Sequence, residues 1–166
     1  MKAIFERRSI RKYKNKPVEK ELVKKLMAAA MAAPSAGNSQ PWHFVVIEER
    51  EKLDRITEFH QYSQMLKEAP MAIVVCGDTN NERYNKFWVQ DCSAATQNIL
   101  LEAHNVGLGT VWLGIYPIDS HVSNLQKLLN LPDGIVPLAV IAVGYPDEHK
   151  EPVDRYAEDK VHWNVW

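Results

Sequence analysis

Two short apolar runs, Met71 to Cys76 and Val136 to Val143, constrain this chain most. Each is far shorter than the ~20 residues of a membrane span, and each reads as a buried strand. Gly144-Tyr145-Pro146 closes the second run. Helical patterns surround them. Met1 to Arg8 reads as a short helix. Residues 19–33 carry Leu22, Val23, Leu26, Met27, Ala30 and Ala33 at helical spacing, and Pro34 stops them. His43 to Ile47 reads as a strand, Glu49 to Phe59 and Tyr62 to Ala69 as helices. Residues 83–106 give the longest helix, with Trp88, Cys92, Ala95, Ile99 and Ala103 along one face and Gly107 and Gly109 at its end. Thr110 to Ile115 reads as a strand. Residues 120–130 form an amphipathic helix, and Pro132-Asp133-Gly134 a turn.

The length of 166 residues suits a single domain over 1–166, without repeats or low-complexity linkers. Lysine plus arginine number 20 and aspartate plus glutamate 21. That balance argues against a whole-protein grip on nucleic acid or an anionic membrane. Cys76 and Cys92 have no partner at metal-ligand spacing, so they read as reduced, buried thiols. Arg7-Arg8 is not followed by an apolar stretch, so no export signal is read and a cytoplasmic location is expected.

Alternation of helices and strands, taken alone, suggests a doubly wound parallel sheet. Its dinucleotide fingerprint is missing. The segment Gly107-Leu108-Gly109-Thr110-Val111-Trp112 lacks the third glycine and leads from a helix into a strand, the reverse of a phosphate turn. No P-loop, nucleophile elbow or metalloprotease helix is present.

Three clusters could carry chemistry. Arg7-Arg8-Ser9-Ile10-Arg11 offers three guanidiniums and a hydroxyl, which suits a phosphate as well as it suits a solvated basic face. Pro34-Ser35-Ala36-Gly37-Asn38-Ser39-Gln40-Pro41-Trp42 is a polar loop between prolines, able to read the edge of a planar heterocycle or simply to connect helix and strand. Trp112-Leu113-Gly114 ends a strand with a glycine that would admit a flat ligand. The last 20 residues are polar yet carry Trp163 and Trp166. Each indole buries on the order of 200 Å2 when docked, so this tail either folds back on its own core or wraps a second subunit.

Together with Gly144-Tyr145-Pro146, these segments resemble, in order, the short form of the nitroreductase family of FMN-dependent oxidoreductases. The resemblance implies an α+β fold, a central, mainly antiparallel sheet flanked by helices. It implies a homodimer with FMN at the interface and a C-terminal arm, about 147–166, packed on the partner. It overturns the parallel-sheet reading. By position, Arg7 and Ser9 should hold the FMN phosphate, supported by Arg8 and Arg155, while Val153 stands where some relatives carry a second basic residue. Arg11 should approach N1 and the C2 carbonyl of the ring. Pro34, Ser35 and Asn38 should come from the partner subunit, and Trp112, Leu113 and Gly114 should back the ring. Asp91, Gln61 and Gln64 are further pocket positions without an assigned contact. No side chain is named as an essential acid or base, and no metal is expected.

The implied reaction is ping-pong. NADH or NADPH passes hydride to FMN, and a nitroaromatic, quinone or similar small-molecule acceptor then takes two electrons at the same place. Only about a dozen residues, Gly77 to Phe87, stand where longer relatives insert helices, so a more open site is expected. Tyr84, Phe87 and Trp88 are either an aromatic lid or ordinary packing. Competing functions are reductive dehalogenation, flavin breakdown, FMN storage or sensing without turnover, and nucleic-acid binding through the basic residues of 7–16.

Overall fold

The computed structural model describes residues 2–80 and 87–166. Helices α1 (Lys2–Glu6) and α2 (Lys20–Met31) precede strand β1 (Trp42–Ile47). Then follow α3 (Arg50–Phe59), β2 (Met71–Asp78), α4 (Trp88–Asn105), β3 (Gly109–Gly114), α5 (Asp119–Leu129) and β4 (Ile135–Gly144). The predicted Tyr62–Ala69 helix is only a 3-10 turn over Gln64–Lys67. The first part of the predicted 83–106 helix, and Tyr84 with it, lies outside the described residues.

The sheet has the order β1-β2-β4-β3, and every neighbouring pair is antiparallel. This is the implied α+β architecture. The alternation-based parallel reading fails because α3 and α5 each return the chain antiparallel to the strand it left, and β4 separates β2 from β3. All eight residues of β2 are buried, as a strand sandwiched between helical layers must be.

One face meets α2 and α4. There Met71, Ile73, Val75, Ala139, Ile141 and Val143 pack with Leu26, Ala30, Cys92, Ala95 and Ile99. The other face meets α3 and α5, where Ala72, Val74, Val140 and Ala142 pack with Leu53, Ile56 and Leu125. Burial pushes the Cys76 thiol up to about 12, and both cysteines are free and buried. Their reading as buried thiols without a disulfide stands.

Pro137 sits in central β4, where a residue without an N–H is normally excluded. The register explains it: Val75 pairs with Ala139 but Cys76 with Pro137, so a bulge absorbs Leu138. The Leu138 carbonyl accepts the N–H groups of both Ile115 (3.0 Å) and Tyr116 (3.1 Å). The bulge therefore fixes where β3 ends, and with it Gly114. No helix among the described residues is long and apolar enough to cross a membrane.

Candidate functional site

The basic N-terminal segment lies along the edge of the sheet. Ser9 bridges Thr110 in the parallel sense, and the Ile10 N–H donates to the Thr110 carbonyl at 2.9 Å. Gly109 makes the approach possible: a Cβ there would lie 2.8 Å from Ile10 Cγ2. On the other side, the Lys14 N–H donates to the Tyr145 carbonyl and the Asp147 N–H to that of Lys12, each at 2.9 Å. Glu148 accepts the Arg11 backbone N–H and pairs with Lys150 at 3.1 Å. Lys150 Nζ also donates to the Ser9 carbonyl at 2.9 Å. Partial burial works against the Glu148 carboxylate, yet the Arg11 N–H and the Lys150 ammonium hold its pKa below the ordinary range.

Arg7 and Arg8 line a cavity of about 320 Å3 with Thr110, Glu148 and Lys150. Burial, then the charges of Arg8 and Arg155, lowers the Arg7 pKa. Arg7 Nε is buried and has no hydrogen-bond partner. A buried donor without an acceptor is costly, and a guanidinium facing two others is doubly so. An anion answers both deficits at once through charge-assisted hydrogen bonds.

A second cavity, about 510 Å3, runs along the end of β3 and is lined by Arg11, His60, Gln61, Tyr62, Gln64, Trp112, Leu113, Gly114 and His121. Its size falls among ordinary ligand pockets. Gly114 is informative here, because an added Cβ would meet nothing within 4 Å. The chain's own packing does not demand glycine at this place, so the space is available to something else. Gln64 has part of its amide committed, donating to the Thr57 carbonyl at 3.3 Å.

Sequence reasoning therefore names residues that the fold does bring together. Arg7, Arg8 and Arg155 share one electrostatic neighbourhood, and Arg11 joins Trp112, Leu113 and Gly114 at the other cavity. Pro34, Ser35 and Asn38 line neither. Their loop is rigid for its own reasons. Gly37, Asn38 and Gln40 adopt left-handed backbone, the Ser35 hydroxyl accepts the Gln40 N–H at 3.0 Å, and Gln40 Nε2 donates to Asn38 Oδ1 at 3.1 Å. Asp91, buried on α4, accepts the Ala36 N–H at 3.0 Å and faces the Ser39 hydroxyl at 3.4 Å. It anchors the loop.

Trp88 packs in the core against Gly77 and meets Tyr116 edge-on at 4.9 Å between ring centroids. For Trp88, packing is the correct alternative. The tail does not fold back on its own core: Trp163 is 83% and Trp166 98% exposed. Sequence reasoning missed His60 and His121, which line the β3 cavity from a turn and from α5. No spacing rule joins residues so far apart.

The model of the family described as "Nitroreductase family" matches residues 4–61 and 59–145. A protein from Methanothermobacter thermautotrophicus, provisionally named an NADH dehydrogenase/NAD(P)H nitroreductase, is 47% identical over all of this chain and 87% of its own length. A crystal structure with the same provisional name, from Parabacteroides distasonis, shares 46% identity at a TM-score of 0.96, covering 99% of this chain and 97% of its own. A provisionally assigned nitroreductase from Desulfovibrio desulfuricans, solved in complex with FMN, shares 30% identity at a TM-score of 0.84, covering 99% and 96%. With the antiparallel sheet and the cationic edge already in view, the chain belongs to the nitroreductase family and is an oxidoreductase of nitroreductase type.

Proposed function

We propose that the two cavities are the two ends of one FMN site, and that the protein moves two electrons from NADH or NADPH to a nitroaromatic, quinone or similar acceptor. The observation that carries this reading is Arg7, whose buried Nε lacks a partner while its charge faces Arg8 and Arg155. A phosphomonoester with close to two negative charges is the anion that such a cluster fits. The open space over Gly114 supports a flat ring at the other end. The FMN complex of the Desulfovibrio relative supports the choice of group.

FMN, when bound, supplies acceptance of a hydride and delivery of two electrons. The chain's residues bind and orient. Arg7, Arg8, Ser9 and Arg155 hold the phosphate. Arg11 places positive charge at the ring's pyrimidine edge, where it stabilises negative charge as it develops. Trp112, Leu113 and Gly114 form the wall behind the ring. Pro34, Ser35 and Asn38 serve the partner's site, which accounts for a loop that is preorganised yet lines neither cavity of its own subunit. The arm expected over about 147–166 starts later, because Asp147, Glu148 and Lys150 are tied to the N-terminal segment of their own subunit; the remainder, from about residue 153, docks on the partner and covers Trp163 and Trp166. Reductant and acceptor then occupy the same open face in turn.

An anaerobic absorbance titration tests this. Protein supplied with FMN should show a bound-flavin spectrum that bleaches rapidly with NADH or NADPH, and parallel lines in two-substrate kinetics should follow. Bound FMN that stays oxidised would replace turnover with storage or sensing. Absence of binding with FMN in excess would refute the site.

A further inference from the structure

Two imidazoles converge on the backbone at the end of β3. His60 Nε2 lies 3.1 Å from the Gly114 carbonyl oxygen. A carbonyl only accepts, so this nitrogen carries the proton and Nδ1 is the bare nitrogen of the neutral ring. His60 is 4% exposed, and its Nδ1 is buried without a partner. His121 stacks at a tilt beside it, ring centroids 4.7 Å apart. The carbonyls of Gly114 and Phe59 face His121, and its Nδ1 is likewise buried without a partner. Both rings line the cavity that Gly114 opens.

We infer that His60 and His121 are positioning residues, a titrating clamp that holds the Gly114 peptide in the geometry the ring end of the site requires. The inference rests on the FMN reading above and adds to it a dependence on proton concentration. The physical reason lies in the bare nitrogens. A second proton on His60 creates a buried Nδ1–H with no acceptor, and a charge on His121 is placed in a partly buried setting beside another imidazole. The clamp is therefore complete only when both rings are neutral.

The surroundings agree. Burial first, and the charge of His60 second, lower the His121 pKa, against the opposing pull of the two carbonyls. Other titratable groups surround the pair, with the Tyr62 ring edge-on to His60 at 6.4 Å between centroids. Arg11 and Tyr62 share the cavity wall. Arg55 and Glu58 of α3 and Lys127 of α5 line the neighbouring groove, and Asp119 opens α5.

The β3 end transmits the effect. The Gly114–Ile115 peptide presents its carbonyl to the clamp, while its N–H donates to the Leu138 carbonyl at the bulge. Displacing the clamp tilts this one peptide, and with it the wall of the cavity.

The test is FMN dissociation, followed by flavin fluorescence between about pH 5 and 8.5, for the native protein and for His60→Gln/His121→Gln. Glutamine Nε2–H replaces the donor and does not titrate. The FMN phosphate titrates equally in both samples, so the ratio of their dissociation constants isolates the imidazoles. The ratio at pH 8 serves as the reference. Below the titration of the clamp, the native protein should lose affinity relative to the variant by up to about tenfold per pH unit for each imidazole that takes up a proton. A ratio independent of pH overturns the inference.

Should the double variant fail to fold, His121→Gln alone carries the same expectation. Should no FMN bind at pH 8, the FMN reading falls, and the ligand-free protein still decides the clamp. The Ile115 amide resonance must then move with the titration of the imidazole resonances, and an Ile115 amide unmoved by that titration overturns it.

Discussion

Strands β2 and β4 and the C-terminal arm treat apolar side chains in opposite ways. In β2 every side chain is buried by this chain alone, whereas the arm leaves Trp163, Val165 and Trp166 in the open. Hydrophobic sequence thus marks two separate things here. In the sheet it marks a core the subunit completes by itself. In the arm it marks surface that this chain leaves exposed, which the proposed dimer would cover. The Arg7–Arg8–Arg155 neighbourhood belongs with the arm, since its surplus positive charge also calls for something the chain does not supply.

The contrast can be broken most severely in the sheet. Val74→Asp should cost more than about 4 kcal/mol, because an unpaired carboxylate in a sealed interior has no compensating partner. Urea denaturation monitored by circular dichroism should find the variant unfolded or nearly so. Deleting residues 157–166 should leave the fold intact while abolishing the dimer in analytical ultracentrifugation. Each lost indole removes about 5 kcal/mol of apolar burial at most from the proposed subunit contact. A deletion that instead unfolds the subunit would erase the distinction drawn here.

Smaller changes sharpen the comparison at the cationic edge. Arg7→Ala should weaken FMN binding about 10- to 100-fold, the equivalent of one charge-assisted hydrogen bond, measurable by fluorescence quenching. The ligand-free protein should keep or raise its melting temperature, because Arg7 faces like charges without compensation. The mildest effect is that of Glu148. Its native pKa lies below its unfolded value, so the unfolded chain binds more protons as the medium acidifies. The stability it contributes is fully present above the ordinary carboxylate range and is lost as pH falls through the lowered value. Thermal melts of Glu148→Gln across pH 3–7 should show a flatter acid limb than the native protein.

Strand positions were legible because β2 and β4 are short, uninterrupted apolar runs. Their order was not. Placing β4 between β2 and β3 depends on contacts remote in sequence, and helix–strand alternation is equally compatible with a parallel sheet. The Tyr62–Ala69 segment misled for a local reason: the Ser63 hydroxyl bonds back to the His60 carbonyl at 2.6 Å, and only a 3-10 turn follows. At the site, Arg7, Arg8 and Arg11 announced themselves by lying within five residues, whereas Arg155 came only from the family resemblance. His60 and His121 did not announce themselves, because the backbone carbonyl of Gly114 becomes a meeting point only once the β3–β4 ladder ends beside the bulge at Leu138.

Gly114 has a further consequence for protein engineering. Its backbone is not left-handed, and an added Cβ meets nothing. Adding a Cβ at this position is thereby uncoupled from the chain's own packing. Gly114→Ala becomes a probe lowered into the cavity, reporting whether a guest needs that depth while the scaffold holds constant. Few positions allow selectivity to be redesigned without first rescuing stability.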